Sequence, residues 1–451
     1  MNKSIILISA NQLKIPYPVY PLGVSYIASH LNENIPQLKT FLFDYNLGGN
    51  NELAELIKKV DPAYIGISLR NVDDVNFYAK ESYVNHYGSI VEKIRSCSSC
   101  KIIIGGPGFS IFPKEMFEFL KPDFGIYGEG ELAISQLLIA LEENIDYRSI
   151  PRLIYHENGK TILNDRNDFA CSPRLYLNNE WTDYYWKNSG MLNIQTKRGC
   201  PYHCIYCTYP LIEGAEIRTL DPKMVVENIK KIYKDQGIDY FFFTDSVFNL
   251  KNSYNVQLAE EIIKSGMSIK WGAYFNFTNL PEDLLVLLKK AGLVHIEFGT
   301  DSFCDTTLKA YQKPFTFSDI LQTSDLCSKL EIDYAHFLIL GGYGETIKTL
   351  SETFENSKKF QKTVFFPFVG MRIYPNTGLY EIALKEGKVS TKDDLLIPRY
   401  YLADNMDINK MQEISGNTGK RWVFPDEDSS VIINKMRAKG KKGPLWEYLT
   451  K

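Results

Sequence analysis

Arg198-Gly-Cys-Pro-Tyr-His-Cys-Ile-Tyr-Cys207 sets three cysteines, Cys200, Cys204 and Cys207, in a C-x3-C-x2-C spacing. Thiolates are the usual ligands of iron–sulfur clusters, and a cubane of four irons ordinarily takes four of them. A compact trio with no fourth cysteine nearby leaves one iron open to another ligand, as a catalytic metal site requires. The rival reading is a zinc knuckle, which would want a fourth Cys or His at finger-like spacing. His203 lies inside the trio, where its neighbour Cys204 would turn it away from a shared centre.

The rest of the chain bounds the setting. Its 451 residues suffice for two or three domains with large cores, and 44% hydrophobic with 23% charged residues is ordinary for a globular protein. A net charge of −3 gives no nucleic-acid footprint. The apolar run within Met1–Ala10 is only a strand long and lacks a small-residue cleavage site, so it reads as a first β-strand rather than a signal peptide. No stretch approaches the ~18 apolar residues of a membrane span. Eight cysteines in so long a chain point to a reducing, cytoplasmic setting rather than a disulfide framework. Cys97 and Cys100 form a C-x2-C at a helix end, with no second pair beside it, and read as a loop.

On both sides of the cysteine loop, short apolar runs alternate with amphipathic helical stretches. In residues 1–145 the strands are expected at Ile5–Ser9, Thr40–Phe43, Tyr64–Leu69, Lys101–Ile104 and Phe124–Tyr127. This alternation predicts an α/β, doubly wound parallel sheet of the flavodoxin or Rossmann kind, with ligands beyond the carboxyl ends of its strands. Residues 146–190 read as a connector containing a hairpin, Leu153–His156 with Lys160–Leu163, turned at Asn158-Gly159. Trp181 and Tyr185 follow in a stretch taken to have no helical period. From 191 to 385, strands at Leu192–Thr196, Tyr240–Thr244, Lys270–Phe275, His295–Phe298, Ala335–Leu340 and Gly370–Tyr374 predict a partial (β/α)6 barrel with its site at the strands' carboxyl ends. Residues 386–451 read as a small C-terminal cap over the barrel.

The cysteine trio, with the aromatic Tyr206 just before the last cysteine, resembles the radical S-adenosylmethionine (SAM) enzymes. The resemblance implies a [4Fe–4S] cluster whose open iron chelates SAM. In the first domain, Tyr20-Pro-Leu-Gly23, Ile67-Ser-Leu-Arg-Asn71, Ile104-Gly-Gly-Pro-Gly-Phe-Ser110 and Gly128-Glu-Gly-Glu131 resemble the cobalamin-binding domain fused to one branch of that family. On this resemblance Tyr20, Ser68, Arg70, Asn71, Gly105, Gly106, Gly108, Gly128, Glu129 and Gly130 fall to cobalamin, Gly105 and Gly106 passing the nucleotide tail close to backbone. None of the six histidines follows an aspartate by two residues, so the D-x-H-x-x-G cobalt-ligating motif is absent. Arg70 resembles the arrangement in which the lower corrin face has no donor side chain; an ion pair with Asp73 or Asp74 is the plain alternative.

The same resemblance assigns polar groups at the barrel's strand ends to SAM or substrate: Asp245 and Asn249 after the second strand, Asn276 after the third, Glu297, Asp301 and Ser302 around the fourth. Gly341 and Gly342 would let backbone approach adenine, and Arg372 would pair with a carboxylate. Asp245 and Glu345 equally make helix caps, and Asn249 a turn. The function implied is C-methyl transfer from SAM by way of methylcobalamin to an unactivated carbon of a small molecule, with a flavodoxin or ferredoxin as electron donor. The competing readings are a cobalamin-dependent rearrangement or cyclisation, a polar rather than radical methyl transfer, and a non-catalytic cluster-bearing sensor.

Overall fold

The computed structural model describes residues 3–165, 175, 177–425 and 430–450. The run Ser-Ile-Ile-Leu-Ile-Ser has no polar face, which suits a strand covered on both sides. It forms β1 (Ser4–Ser9), buried throughout. β2 (Lys39–Asp44), β3 (Tyr64–Ser68), β4 (Lys101–Gly105) and β5 (Phe124–Ile126) join it in parallel, and β6 (Leu153–Glu157) with β7 (Lys160–Leu163) add an antiparallel edge. The order is β2-β1-β3-β4-β5-β6-β7. Its direction reverses at β1 and β3, where a doubly wound sheet opens its crevice. The expected hairpin is present, with Asn158 and Gly159 at φ 49° and 73° as a tight type I′ turn requires. It is not part of a free connector, however: its pairing with β5 carries the first sheet on to Leu163.

The aromatic stretch read as irregular is a helix, Asn179–Ser189. The Asn178 side chain accepts from Trp181 N at 3.0 Å, and Gly190 ends the helix at φ 70°. Its buried face is Trp181, Thr182 and Tyr185, a helical spacing hidden among neighbouring aromatics. Tyr185 ties this helix to the first sheet, its hydroxyl donating to Asp44 Oδ2 at 2.7 Å.

The second half begins with β8 (Leu192–Ile194), followed by the short antiparallel pair β9 (Lys197–Arg198) and β10 (Arg218–Thr219). Then come β11 (Tyr240–Phe243), β12 (Lys270–Phe275), β13 (Leu293–Asp301), β14 (Asp333–Leu340) and β15 (Thr363–Val369). They run parallel in the order β15-β14-β13-β12-β11-β8, each beside its sequence neighbour, as in a barrel that does not close. One face of these strands packs on the surrounding helices through Phe241, Phe243, Trp271, Ile296 and Phe298. The alternate residues, Tyr240, Phe242, Tyr274, His295 and Glu297, therefore face the interior.

The sixth strand corrects the expectation. It is Thr363–Val369, ending at Gly370 with φ 68°, and not Gly370–Tyr374. Pro367 makes that run a poor strand on paper, but β15 is an edge strand, where a missing N–H is tolerated. Met371–Arg372 (β16) instead pairs with Tyr400–Tyr401 (β17). The outer edge of β15 is partly covered: Phe365 exchanges backbone hydrogen bonds with Arg421 and Val423, both at 2.9 Å.

The C-terminal region does two things rather than cap one end. Leu402, Met406 and Met411 lie against Gly341, at the carboxyl end of β14. The last turn, Trp446–Tyr448, sits at the opposite end: Tyr240, the first residue of β11, donates to Glu447 at 2.9 Å, and Thr450 donates to Asp333, the first residue of β14, at 3.1 Å. Among the described residues no helix is long and apolar enough to cross a membrane.

Candidate functional site

A cleft of about 320 Å³ opens at the carboxyl ends of β1, β3, β4 and β5. Ser9, Asn11, Ser68, Arg70, Gly105, Gly106, Gly128 and Glu129 line it from the first sheet, and Gln195, Arg198, Tyr209 and Glu213 line it from the barrel. Gly106 holds φ 98°, and a Cβ there would stand 2.7 Å from Leu69 O and 2.8 Å from Ser68 Oγ. Only glycine fits without strain. Gly105 and Gly108 are also tight against backbone, at 3.0 Å from Ile126 O and 3.1 Å from Leu69 O. A Cβ on Gly23, also in the lining, would meet nothing within 4 Å.

Polar side chains remain uncommitted in this cleft, Ser68 and Arg70 among them. Ser68 makes no hydrogen bond through its hydroxyl, and Arg70 makes no ion pair among the described residues. Asp73, one of the two partners in the alternative ion pair for Arg70, belongs to Arg372 at 2.8 Å, and Asp74 accepts from Asn76 N. An elongated cleft with glycine walls, a free hydroxyl and an unpaired cation fits a group such as the cobalamin tail and corrin rim. Tyr20 also lines the cleft, but its ring is packed edge-on against Trp181 and Tyr185 as core. Asn71 uses its carbonyl to accept from Tyr87. Gly128 and Gly130 serve internal packing, against Arg152 and Ile27. Glu129 is engaged by the protein itself: with Glu131 it ion-pairs Arg198, at 3.1 and 2.7 Å, and it also pairs Arg218. These carboxylates clamp the first domain to the start of the cysteine loop.

The cysteine loop is pinned by backbone bonds from distant elements. Cys200 N donates to Gly214 O at 3.1 Å, Ile205 N to Tyr311 O at 3.3 Å, and Leu379 N to Ile205 O at 2.7 Å. The three thiols form no disulfide and lie within one another's electrostatic reach. Burial raises all three, Cys207 to about 12. Such thiols stay protonated until a metal takes the charge. Among the described residues no three Cys, His, Asp or Glu groups close on one point.

Beside the loop stands a buried lysine the sequence did not single out. Lys313 Nζ pairs with Asp301 Oδ2 at 2.8 Å, and the Tyr206 hydroxyl donates to the same oxygen at 2.6 Å. Burial works against the charge on Lys313, but Asp301 and the nearby thiols hold it above the ordinary lysine range. Asp301 sits at φ 66° in a bulge of β13, which swings its carboxylate toward the loop. Glu213, likewise missed, accepts from Gly199 N and Gln195 at 3.0 Å each, and burial pushes it up to about 7.

Several expected ligand contacts are structural instead. Asp245 is 0% exposed; it accepts from Thr196 N at 2.7 Å, Lys197 N at 3.0 Å, Lys197 Nζ at 2.7 Å and the Thr196 hydroxyl. It ion-pairs a wholly buried lysine beneath the cysteine loop. Asn249 is spent on Asn276 and Thr278, bridging two loops. Ser302 bonds Thr353 at 2.9 Å and caps Cys304 N. Space beside Gly341 and Gly342 is filled by Leu402 and by Tyr311 and Met371, so those glycines answer to internal packing. Glu345 caps Gly341 N. Arg372 does pair with a carboxylate, but it is Asp73 of the first domain.

Asn276 and Glu297 each keep a free polar atom. Asn276 Nδ2 is buried without a partner. Glu297, in the barrel interior, is 3% exposed and accepts from Trp446 Nε1 at 3.0 Å through one oxygen only. Burial raises Glu297 to about 7, the Trp446 bond opposing and Glu447 adding to the rise.

Residues 194–356 match the Radical SAM superfamily. An uncharacterized methyltransferase of Pyrococcus horikoshii is 24% identical over 386 residues, covering 82% of this chain and 80% of its own. The tryptophan 2-C-methyltransferase of Streptomyces laurentii is 22% identical over 445 residues, covering 83% and 74%. In fold, the chain is similar to the radical S-adenosylmethionine methyltransferase TsrM from Kitasatospora setae, solved with cobalamin and a [4Fe-4S] cluster. That match has a TM-score of 0.87 at 19% identity, over 100% of this chain and 98% of the other.

Proposed function

We propose that this chain, which carries a radical SAM domain and is similar over most of its length to cobalamin-dependent radical SAM methyltransferases, is itself a C-methyltransferase of that kind, acting on a small molecule. The observation that carries the reading is the shared cleft: strand ends of the first sheet and the segment flanking the cysteine trio line one cavity. When bound, the cluster supplies the electron that cleaves SAM, and the corrin carries the methyl group between SAM and substrate.

The chain's own residues position and shield. Cys200, Cys204 and Cys207 would hold the cluster, and the Lys313–Asp301–Tyr206 group fixes a buried cation beside the cysteine loop. Ser68 and the backbone at Gly105 and Gly106 line the cleft and would border the corrin tail. Arg70, unpaired, faces the cleft with a charge that cannot coordinate a metal and disfavours a more positive one near it. The Arg198 clamp on Glu129 and Glu131 keeps the two halves in register. Glu297 and Asn276 offer an acceptor and a donor to SAM or substrate. A low-potential flavodoxin or ferredoxin would deliver the electron.

The test is turnover with SAM bearing a labelled methyl group. Methyl transfer gives a product about 14 Da heavier than substrate, carrying the label. SAM cleavage with a product of unchanged mass would favour rearrangement or cyclisation, and no cleavage would favour a non-catalytic cluster protein.

A further inference from the structure

The C-terminal turn enters the barrel from the end opposite the expected site. Trp446 is 6% exposed and packs with Ala335 and Val364, on the inner face of β14 and β15, beside Phe337 and Phe366. Its ring stands edge-on to His295 at 5.5 Å. Leu445, at φ 70°, holds a left-handed conformation that bulky residues avoid. This turn aims the next residue's indole up the barrel axis, and its N–H ends 3.0 Å from Glu297. Sequence separation of 149 residues makes this a bond that tertiary structure alone builds.

We propose that Trp446 is a positioning residue for Glu297: the C-terminal plug holds one carboxylate oxygen and leaves the other for a hydroxyl or amine donor on the bound small molecule. A buried carboxylate has several rotamers, and a partner on one oxygen selects among them. The charged group that bears on it is Glu447 from the plug, and Glu297 in turn raises the neutral phenols of Tyr274 from β12 and Tyr17 from the loop after β1. Burial is the largest influence and favours the neutral acid, Glu447 adds to it, and the indole N–H favours the carboxylate. Removing that N–H raises the pH at which the carboxylate forms. The role of Glu297 toward the ligand rests on the function proposed above; its bond to Trp446 does not.

The experiment therefore has an arm without turnover. Tryptophan emission of the full chain is followed from pH 5 to 9, as the difference between wild type and Trp446→Phe. A transition near pH 7, absent in Glu297→Gln, is expected; its persistence in Glu297→Gln would overturn the pairing. In the reconstituted enzyme, Trp446→Phe should raise KM for SAM or substrate roughly threefold to tenfold and move the ascending limb of kcat/KM to higher pH. Leu449→Ala loosens the same plug without touching the bond and should lower Tm while leaving the limb in place. Parallel behaviour of Trp446→Phe and Leu449→Ala would mean that the indole only fills space, and the proposal would fail.

Discussion

Arg372 Nε donates to Asp73 Oδ2 at 2.8 Å, with both side chains all but removed from solvent, and so ties the end of the barrel to the loop after β3. The same guanidinium donates to the carbonyls of Ile373 and Leu395 at 2.6 and 2.7 Å. It is thus held in place even when its counter-ion is lost. Asp73→Ala should leave a buried, unneutralised cation and cost about 3–5 kcal/mol. Urea unfolding measures this, and a loss below ~1 kcal/mol would mean that water reaches the pair.

The glycines around the cleft should separate by role. Gly106→Ala forces a side chain into a left-handed position against Leu69 O and should destabilise the fold by about 1–3 kcal/mol. Gly23 has open space beside it. Gly23→Leu should unfold like wild type yet retain less hydroxocobalamin, because its side chain projects into the lining. Thermal unfolding and corrin absorbance after gel filtration distinguish the two.

Glu345 supplies a pH dependence of stability. Burial pushes it up to about 8 from an unfolded value near 4.5. Between these values the unfolded chain has released the proton and the folded chain keeps it, so stability falls as pH rises. Glu345→Gln should flatten that slope and be more stable than wild type above pH 8, by about 1–3 kcal/mol. Tm measured from pH 5 to 9 checks it; parallel curves for the two proteins would contradict it.

Arg70 offers a spectroscopic test. On the proposed reading no side chain ligates the cobalt; Arg70→His would place an imidazole where the guanidinium was, and imidazole is a good cobalt ligand. Bound hydroxocobalamin should then change its absorption spectrum in the variant while iron content stays at the wild-type level. An unchanged spectrum would put Arg70 away from the corrin face.

Much of this architecture was legible in the chain. The β-branched runs at Ser4–Ser9 and Tyr64–Ser68 declare buried parallel strands, and the cysteine spacing points to a cluster without any fold. What escaped depends on partners distant in sequence. Asp245 at a strand end reads equally as a ligand or as a counter-ion, and only folding reveals Lys197 beneath it. Arg372 and Asp73 are 299 residues apart. Pro367 disguised β15 because an edge position is not visible locally. The helix at Asn179–Ser189 did carry signals, a capping asparagine and a closing glycine, which the aromatic composition obscured. Lys313 lies beyond the helix that follows β13 and had no motif to mark it.

The central claim is that one chain holds a cluster and a corrin in a shared site. Anaerobic reconstitution with iron, sulfide and hydroxocobalamin, followed by gel filtration, tests it on wild type and Cys204→Ala. The account predicts about four irons and one corrin per wild-type chain, with the iron lost and the corrin kept in the variant. A wild-type chain that takes up iron but no corrin would contradict it, and the cleft of the first domain would then belong to another ligand.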